Sequence, residues 1–250
     1  MNWIDFYNNL AVNTKNKGCQ NGAMFAIDRK IYQKIFNDIN GKMHFKADDV
    51  VLDIGCGNGA IAKFIAPFVR KIVLIDGAPK MLEFAKQATE DFTNTEFRLA
   101  DINKENDFTA YGSFDKIICY SVAHYLDNYK RFEGLLEEMI KALKPGGRIL
   151  VGDIPLIDKR EKYLNERKKR ILLNFFSNIK YFFKKLTTKL VTAKTKHPTE
   201  LKDRVSFNRE KITFTIKNLQ TENLGLSLIE QQTGLPFFNS REDLLITKEK

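Results

Sequence analysis

The chain has 250 residues, is 43% hydrophobic and 29% charged, and carries a formal charge of +10. That composition fits a globular chain able to bury a sizeable core and excludes a disordered or fibrous one; no apolar run approaches the ~20 residues needed to span a bilayer. Cys19, Cys56 and Cys119 lack CxxC spacing and histidines number three, which excludes a disulfide scaffold and a cysteine-rich zinc centre, gives no metal site to expect, and favours a reducing cytoplasm.

The N-terminus shows no basic region followed by an apolar stretch, so no signal peptide is expected. Gly18 to Gly22 reads as a loop. Ala23 to Ile39 has apolar residues at helical spacing (Phe25, Ile27, Ile31, Ile35, Phe36, Ile39) and is expected to end at Asn40-Gly41. From Asp49 a strand, turn and helix pattern repeats. Val50 to Ile54 is a short, nearly all-apolar run of the kind buried on both faces of a parallel sheet, and Lys71 to Asp76 is a second buried strand; Thr95 to Ala100, Phe114 to Tyr120 and Arg148 to Asp153 read as the third, fourth and fifth strands. Ile61 to Ala66, Pro79 to Thr89 and Asn128 to Leu143 are the intervening helices, the last turned into its strand by Pro145-Gly146-Gly147. Glu210 to Asn223 reads as a helix with Ser206 and Asn208 as candidate caps. Strands at Leu224 to Gln232 and Glu242 to Lys248 follow, close enough to pair antiparallel. Such alternation predicts an open α/β sheet of seven strands with helices on both faces. Ligands of such sheets sit beyond the strands' C-terminal ends, where the winding reverses.

Chemistry-bearing residues gather at those ends. Asp53-Ile54-Gly55-Cys56-Gly57-Asn58-Gly59 follows the first strand and opens a helix. Its glycines permit a sharp turn and close approach to a ligand. The spacing is neither GxGxxG nor a P-loop. Asp76 closes the next strand, 23 residues after Asp53, where a carboxylate reaches ribose hydroxyls. Asp101 closes the third. One carboxylate alone is as readily a solvated or capping group; three beside one glycine loop point to a ligand site.

VLDIGCGNG at 51–59, IVLIDGAPKMLEFAK at 72–86, RLADIN at 98–103, FDKIICYSVAHYL at 114–126 and LKPGGRILVGDI at 143–154 resemble the successive motifs of class I S-adenosylmethionine-dependent methyltransferases. The resemblance implies a Rossmann-like, mostly parallel sheet whose last strand is antiparallel, and an enzyme converting S-adenosylmethionine to S-adenosylhomocysteine. It places Gly55, Gly57 and Gly59 under the methionine part of the cofactor, with Asp53 near its amino end and Cys56, within the same cofactor-binding loop, as a small residue. It sets Asp76 on the ribose, flanked by Gly77 and Met81. Asp101 and Ile102 fall at the adenine, Tyr120 and Ser121 beside the methionine moiety. By this reading residues 1–48 form N-terminal helices and a lid, 49–155 the cofactor-binding core, 156–204 a helical cap insert, and 205–250 complete the core.

Methyl transfer from a sulfonium needs an oriented, desolvated acceptor, and a hydroxyl acceptor also benefits from a base. His124, just past the fourth strand, and Asp153, ending the fifth, are the candidate catalytic groups. His124 is equally readable as a packing or capping residue, and Asp153 as a turn carboxylate before Pro155. Cys119 lies in an apolar strand and reads as an inert thiol. The stretch Cys119 to Val122 lacks the Asp/Asn-Pro-Pro-aromatic signature of nucleic-acid amino-methyltransferases, which disfavours nucleic acid as acceptor.

Residues 159–196 hold thirteen Lys or Arg against two Glu, a net +11 that leaves the rest of the chain at about −1. Leu172, Phe175, Phe176, Ile179, Phe182, Phe183, Leu186 and Leu190 recur among these cations, an amphipathic basic pattern. The favoured reading is a cap that recognises a small anionic acceptor. A peripheral contact with the inner membrane face, a nucleic-acid face and a dimer surface are the alternatives. The stretch VGDIPLIDKREKYLNERKK resembles methyltransferases of bacterial cell-surface polysaccharide genes, which implies O-methylation of a sugar or phosphate-type group.

Overall fold

A computed structural model describes residues 3–13, 20–21, 24–25, 29–165, 205–236 and 238–250. Helix α1 (Trp3–Asn13) precedes a two-residue antiparallel ladder, β1 (Gln20–Asn21) with β2 (Met24–Phe25), and α2 (Arg29–Met43) follows. α2 thus starts later than its apolar spacing suggests, because 24–25 are a strand paired antiparallel with 20–21. It also runs through Asn40-Gly41 to Met43. The left-handed residue that stops it is His44 (φ 55), and the Asn40 side chain accepts from the Phe45 N–H at 3.2 Å.

The seven-stranded sheet is built from β3 (Val50–Ile54), β4 (Lys71–Asp76), β5 (Thr95–Leu99), β6 (Phe114–Tyr120), β7 (Leu143–Pro155), β8 (Leu224–Glu230) and β9 (Arg241–Lys248). Their spatial order is β5-β4-β3-β6-β7-β9-β8. The β3, β4, β5, β6 and β7 pairings are parallel, and β9 runs antiparallel to both β7 and β8. The winding reverses between β3 and β6, which opens a crevice at their C-terminal ends. β7 begins at Leu143 rather than Arg148, with a register shift in its pairing to β6 between Phe114 and Lys116. The Pro-Gly-Gly stretch is therefore an irregular part of the strand and not a separate turn.

Alternation along the strands feeds two cores. Leu52, Ile54, Val73 and Ile75 pack with Phe132, Leu135, Leu136 and Met139 of α5 (Tyr129–Ala142) on one face. Val51, Ile72 and Leu74 pack with Ile35, Phe36, Ile39 and Met43 of α2 on the other. α3 (Ala62–Ile65) and α4 (Pro79–Ala88) join the α2 side. Asn128 caps α5 by accepting from the Arg131 N–H at 2.9 Å.

After β7, residues 157–165 are helical (α6). The chain returns at Val205 and leads into α7 (Arg209–Leu219), whose cap is Asn208. Residues 166–204, which carry most of the basic segment, lie outside the described residues. Leu156 bridges Phe207 in parallel, and the Ile157 N–H donates to the Phe207 carbonyl at 2.9 Å. Lys159 reaches Glu242 at 3.1 Å, and Arg209 pairs with the same carboxylate. The two ends of the insert are thus fastened side by side next to the end of β7. No helix among the described residues is long and apolar enough to cross a membrane.

Candidate functional site

β4 locks the glycine loop in place. Gly55 and Cys56 N–H both donate to the Ile75 carbonyl, at 2.7 and 2.9 Å. Asp76 closes the latch: its Oδ2 accepts from Gly57 N–H at 2.9 Å and its Oδ1 from Ala78 N–H at 2.8 Å. Burial holds the Asp76 carboxyl above the usual carboxylate range, opposed by these backbone donors. Each oxygen keeps further acceptor capacity for a ligand hydroxyl.

Gly55 is left-handed (φ 72), and a Cβ there would lie 2.5 Å from a Val122 methyl. The sheet brings the loop after β3 against the loop after β6, so only glycine fits. Gly55→Ala is expected to cost about 2–4 kcal/mol, from overpacking and positive-φ strain together. A thermal melt and a calorimetric titration with S-adenosylhomocysteine should show both stability and binding reduced.

One cleft runs over these strand ends. Of the residues the sequence singles out, Gly55, Gly57, Asp76, Gly77, Met81, Asp101, Ile102, Tyr120, Ser121, His124 and Asp153 line it. Asp53, Cys56 and Gly59 do not. Gly59 (φ 75) serves packing instead: a Cβ there would sit 2.9 Å from Ala85 Cα in α4. Cys56 is buried, and burial pushes its thiol well above the ordinary range, so it is a small core residue. Cys119 is wholly buried and its thiol is pushed up to about 12. Asp53 is buried behind the loop, and loss of solvent, reinforced by Asp76, raises its carboxyl to about 7.

Asp101 accepts from Asn103 N–H at 2.9 Å, which sets the turn after β5 and leaves its second oxygen for the cleft. On the other side Ser121 (φ 63) and Asp153 (φ 60) are both left-handed non-glycine residues. Their Oγ–Oδ2 hydrogen bond is 2.6 Å. Asp153 N–H donates to Asp243 at 2.8 Å, and its carbonyl accepts from Arg241 at 3.0 Å. The register of β7 with β9 shifts between Val151 and Ile154, which turns Asp153 out of the ladder. Burial raises the Asp153 carboxyl above its usual range, against the pull of Arg241 and of the Ser121 bond. Backbone strain fixed by a buried network in this way is a mark of functional sites.

The reading of residues 1–48 as N-terminal helices and a lid names none of the side chains that roof the cleft. Trp3, Ile4 and Tyr7 of α1 and Tyr32 and Ile35 of α2 line it, as do Tyr125 and Arg241. Tyr7 donates to the Tyr125 hydroxyl at 2.7 Å, and Trp3 lies 4.5 Å from the Tyr125 ring. A Cβ on Gly77 would come 3.0 Å from Ile4, so α1 rests directly on the end of β4. The available signal was the aromatic spacing of Trp3, Phe6 and Tyr7. Arg241 has no local signal, since only the antiparallel insertion of β9 brings it beside Asp153.

The cleft fits a ribose-bearing ligand without phosphate. Among the described residues lining it, Arg241 is the one Lys or Arg, whereas Asp76, Asp101 and Asp153 are acidic. Dinucleotide and nucleotide phosphates call for cations or free loop amides, and here the Gly55, Cys56 and Gly57 amides are taken by β4. A nucleoside with a cationic amino-acid tail meets the right partners: Asp76 for ribose hydroxyls, Asp101 for an exocyclic amine, and, Arg241 apart, neutral or acidic groups elsewhere.

Comparison with known proteins agrees. Residues 45–202 match the family model described as a methyltransferase domain. A demethylmenaquinone methyltransferase of Tropheryma whipplei is 34% identical over 105 residues, covering 42% of this chain and 41% of the relative. Nodulation protein S of Sinorhizobium fredii is 24% identical over 101 residues, covering 40% of this chain and 45% of the relative. The chain thus spans less than half the length of these curated relatives. The solved N-methyltransferase NodS of Bradyrhizobium japonicum, with S-adenosylhomocysteine, shares the fold at a TM-score of 0.55 and 17% identity, over 88% of this chain and 86% of that one. The magnesium protoporphyrin IX methyltransferase of Synechocystis, with S-adenosylhomocysteine bound, does so at 0.57 and 13%, over 98% and 97%. With the family model covering more than half of its length, the chain belongs to the methyltransferase-domain family, in its class I, S-adenosylmethionine-dependent form.

Proposed function

We propose that the protein transfers the methyl group of S-adenosylmethionine to a small acceptor bearing an anionic group, of the glycan-precursor kind. The observation that supports the cofactor half most directly is the Asp76 latch. One carboxylate at the β4 end holds the glycine loop by two backbone amides and still faces the cleft. When bound, the cofactor supplies a methyl group already activated on a sulfonium. The chain's part is to orient, dry and deprotonate. Asp76 and Asp101 fix the nucleoside end. α1 and Tyr125 exclude water from above. His124, buried in the turn Ala123–Tyr125, and Asp153 are the groups that can take a proton from the acceptor. Raised by burial, Asp153 is a stronger base than a solvated carboxylate.

The acceptor half is supported by how the basic insert is anchored. Its two ends meet at Leu156 and Phe207, two residues past Pro155 and Val205 respectively at most, and are tied by Lys159 and Arg209 to Glu242. Glu242 adjoins Arg241, which lines the cleft. That the described residues flanking the insert meet beside Arg241 supports a role for the insert in recognising the acceptor. Neutralising Arg167, Lys168, Lys169 and Arg170 together is expected to raise the acceptor KM and leave cofactor affinity constant. The effect should shrink at high salt, since exposed charges are screened over ~8 Å at physiological ionic strength. Loss of binding to acidic vesicles with unchanged acceptor kinetics would instead make the segment a membrane-docking element.

The direct test is transfer of labelled methyl to fractionated cell extract. Label entering a small-molecule fraction supports the proposal. Label entering total RNA alone overturns its acceptor half. Cofactor binding with no transfer to any fraction would make the chain a non-catalytic binding protein.

A further inference from the structure

Val151 pairs with Leu244 and Ile154 with Glu242, so Gly152 and Asp153 of β7 stand opposite one residue of β9, Asp243. Two residues against one make a β-bulge, which re-aims a side chain and leaves a backbone group outside the ladder. Gly152 suits the first place, since a Cβ there would lie 2.3 Å from the Tyr120 ring. Asp153 takes the second, left-handed (φ 60) and lining the cleft. Its displaced N–H needs an acceptor, because a buried donor left unpaired is costly. The wholly buried Asp243 side chain provides it. Oδ1 accepts from Asp153 N–H at 2.8 Å and from Gln231 Nε2 at 3.0 Å, and Oδ2 accepts from Lys42 Nζ at 2.6 Å. Lys42 also donates to Asp38, one turn earlier on α2, at 2.5 Å. A buried ion pair is often no more stabilising than apolar side chains of similar volume. Stability alone therefore does not account for one placed behind the end of β7.

We propose that Asp243, oriented by Lys42 and Gln231, is the positioning residue for Asp153: by accepting the bulged N–H it holds the Asp153 carboxylate in the cleft beside Ser121. This rests on the reading of Asp153 as a group that takes the acceptor's proton. Three tethers fix Asp153. Ser121 Oγ donates to its Oδ2 at 2.6 Å, Arg241 donates to its carbonyl at 3.0 Å, and its N–H is held by Asp243. Without the third, the residue is free to relax to the extended backbone that non-glycine residues prefer. Successive side chains of a strand face opposite sides of the sheet, so such a change swings the carboxylate away from its place. A reacting group displaced by about 1 Å can cost on the order of a hundredfold in rate. The nucleoside end is remote from this contact. β9 stands four places from β4 in the sheet, roughly 19 Å at about 4.8 Å per strand.

The test compares two variants that both carry Lys42→Met, one with Asp243→Asn and one with Asp243→Leu. Both lack the ion pair and have the same charge and nearly the same side-chain size, so they differ in the acceptor for the Asp153 N–H. With Lys42 gone, the asparagine oxygen is drawn to its two remaining donors, Asp153 N–H and Gln231. Three quantities are measured: hydrogen exchange at the Asp153 amide, transfer of labelled methyl from S-adenosylmethionine to a small-molecule cell extract, and calorimetric affinity for S-adenosylhomocysteine. The leucine variant is expected to exchange that amide about tenfold faster or more than the asparagine variant, and to transfer methyl about tenfold more slowly or less. Affinity for S-adenosylhomocysteine should agree between them within about twofold. Should the leucine variant fail to melt cooperatively, Asp243→Ala in the same background takes its place. Equal amide exchange or equal transfer in the pair overturns the proposal. Wild-type transfer in Asp153→Asn would instead overturn the reading of Asp153 as the base, and a wild type that labels no fraction would overturn the methyl-transfer function. In either case the amide exchange of the pair still decides whether Asp243 positions Asp153.

Discussion

Asp76→Ala is expected to raise the dissociation constant for S-adenosylhomocysteine at least a hundredfold. Two effects add. The carboxylate's hydrogen bonds to the ribose disappear, each worth about 1.5–3 kcal/mol when charge-assisted. The glycine loop also loses its latch, because Gly57 and Ala78 N–H donate to Asp76 at 2.9 and 2.8 Å. Thermal stability should change far less than affinity, since removing a buried carboxylate also removes its desolvation cost. Asp76→Asn should fall between: it retains one acceptor but turns an NH2 toward one of the two backbone donors. Calorimetry on the three proteins checks this. An unchanged dissociation constant in Asp76→Ala would show that the ribose lies elsewhere and would remove the main support for the cofactor assignment.

Asp53→Asn is expected to stabilise the ligand-free protein at pH 8 while weakening its cofactor binding. Burial raises the Asp53 carboxyl to about 7, above the 3.8 of an exposed aspartate. The folded state therefore keeps a proton that the unfolded chain has already lost. Its stabilising contribution is complete below about pH 4 and is lost as pH rises to 7, a swing on the order of 4 kcal/mol. Asparagine does not titrate, so the variant should melt close to wild type at pH 4 and well above it at pH 8. At ~2–4 °C per kcal/mol for a chain of this size, the gap approaches 10 °C. Asp53 does not line the cleft, but it is buried two residues before Gly55, and a cation bound over the glycine loop favours its ionised form through the low-dielectric interior. Wild-type affinity for S-adenosylhomocysteine, with its amino group, should rise from pH 5.5 to pH 8, and the Asp53→Asn affinity should stay flat. Parallel pH profiles for the two proteins would show that Asp53 is a neutral core group at every pH.

The alternation of short apolar runs with glycine turns and amphipathic helices determined the sheet, its strand count and the crevice. The reason is local: a strand buried on both faces must be apolar along its covered stretch, and β3 is at 50–52, β4 at 72–75 and β6 at 117–119. The carboxylates at the strand ends were legible because a parallel sheet puts all its C-termini on one side. Asp76 and Asp101 could therefore be placed from sequence, and both line the cleft. What sequence could not separate is which loop residues face the ligand and which face the protein. Gly55 and Gly59 look alike in the motif, yet one avoids Val122 and the other Ala85. Asp53 looks like a ligand carboxylate and is buried behind the loop. Tertiary structure alone decided which side chains form the roof and the far wall. α1 reaches Tyr125 across 118 residues through Tyr7, and β9 inserts beside β7 to bring Arg241 to Asp153 across 88. Contacts of that separation leave no periodicity in the chain, because they are set by packing between whole elements and not by spacing within one.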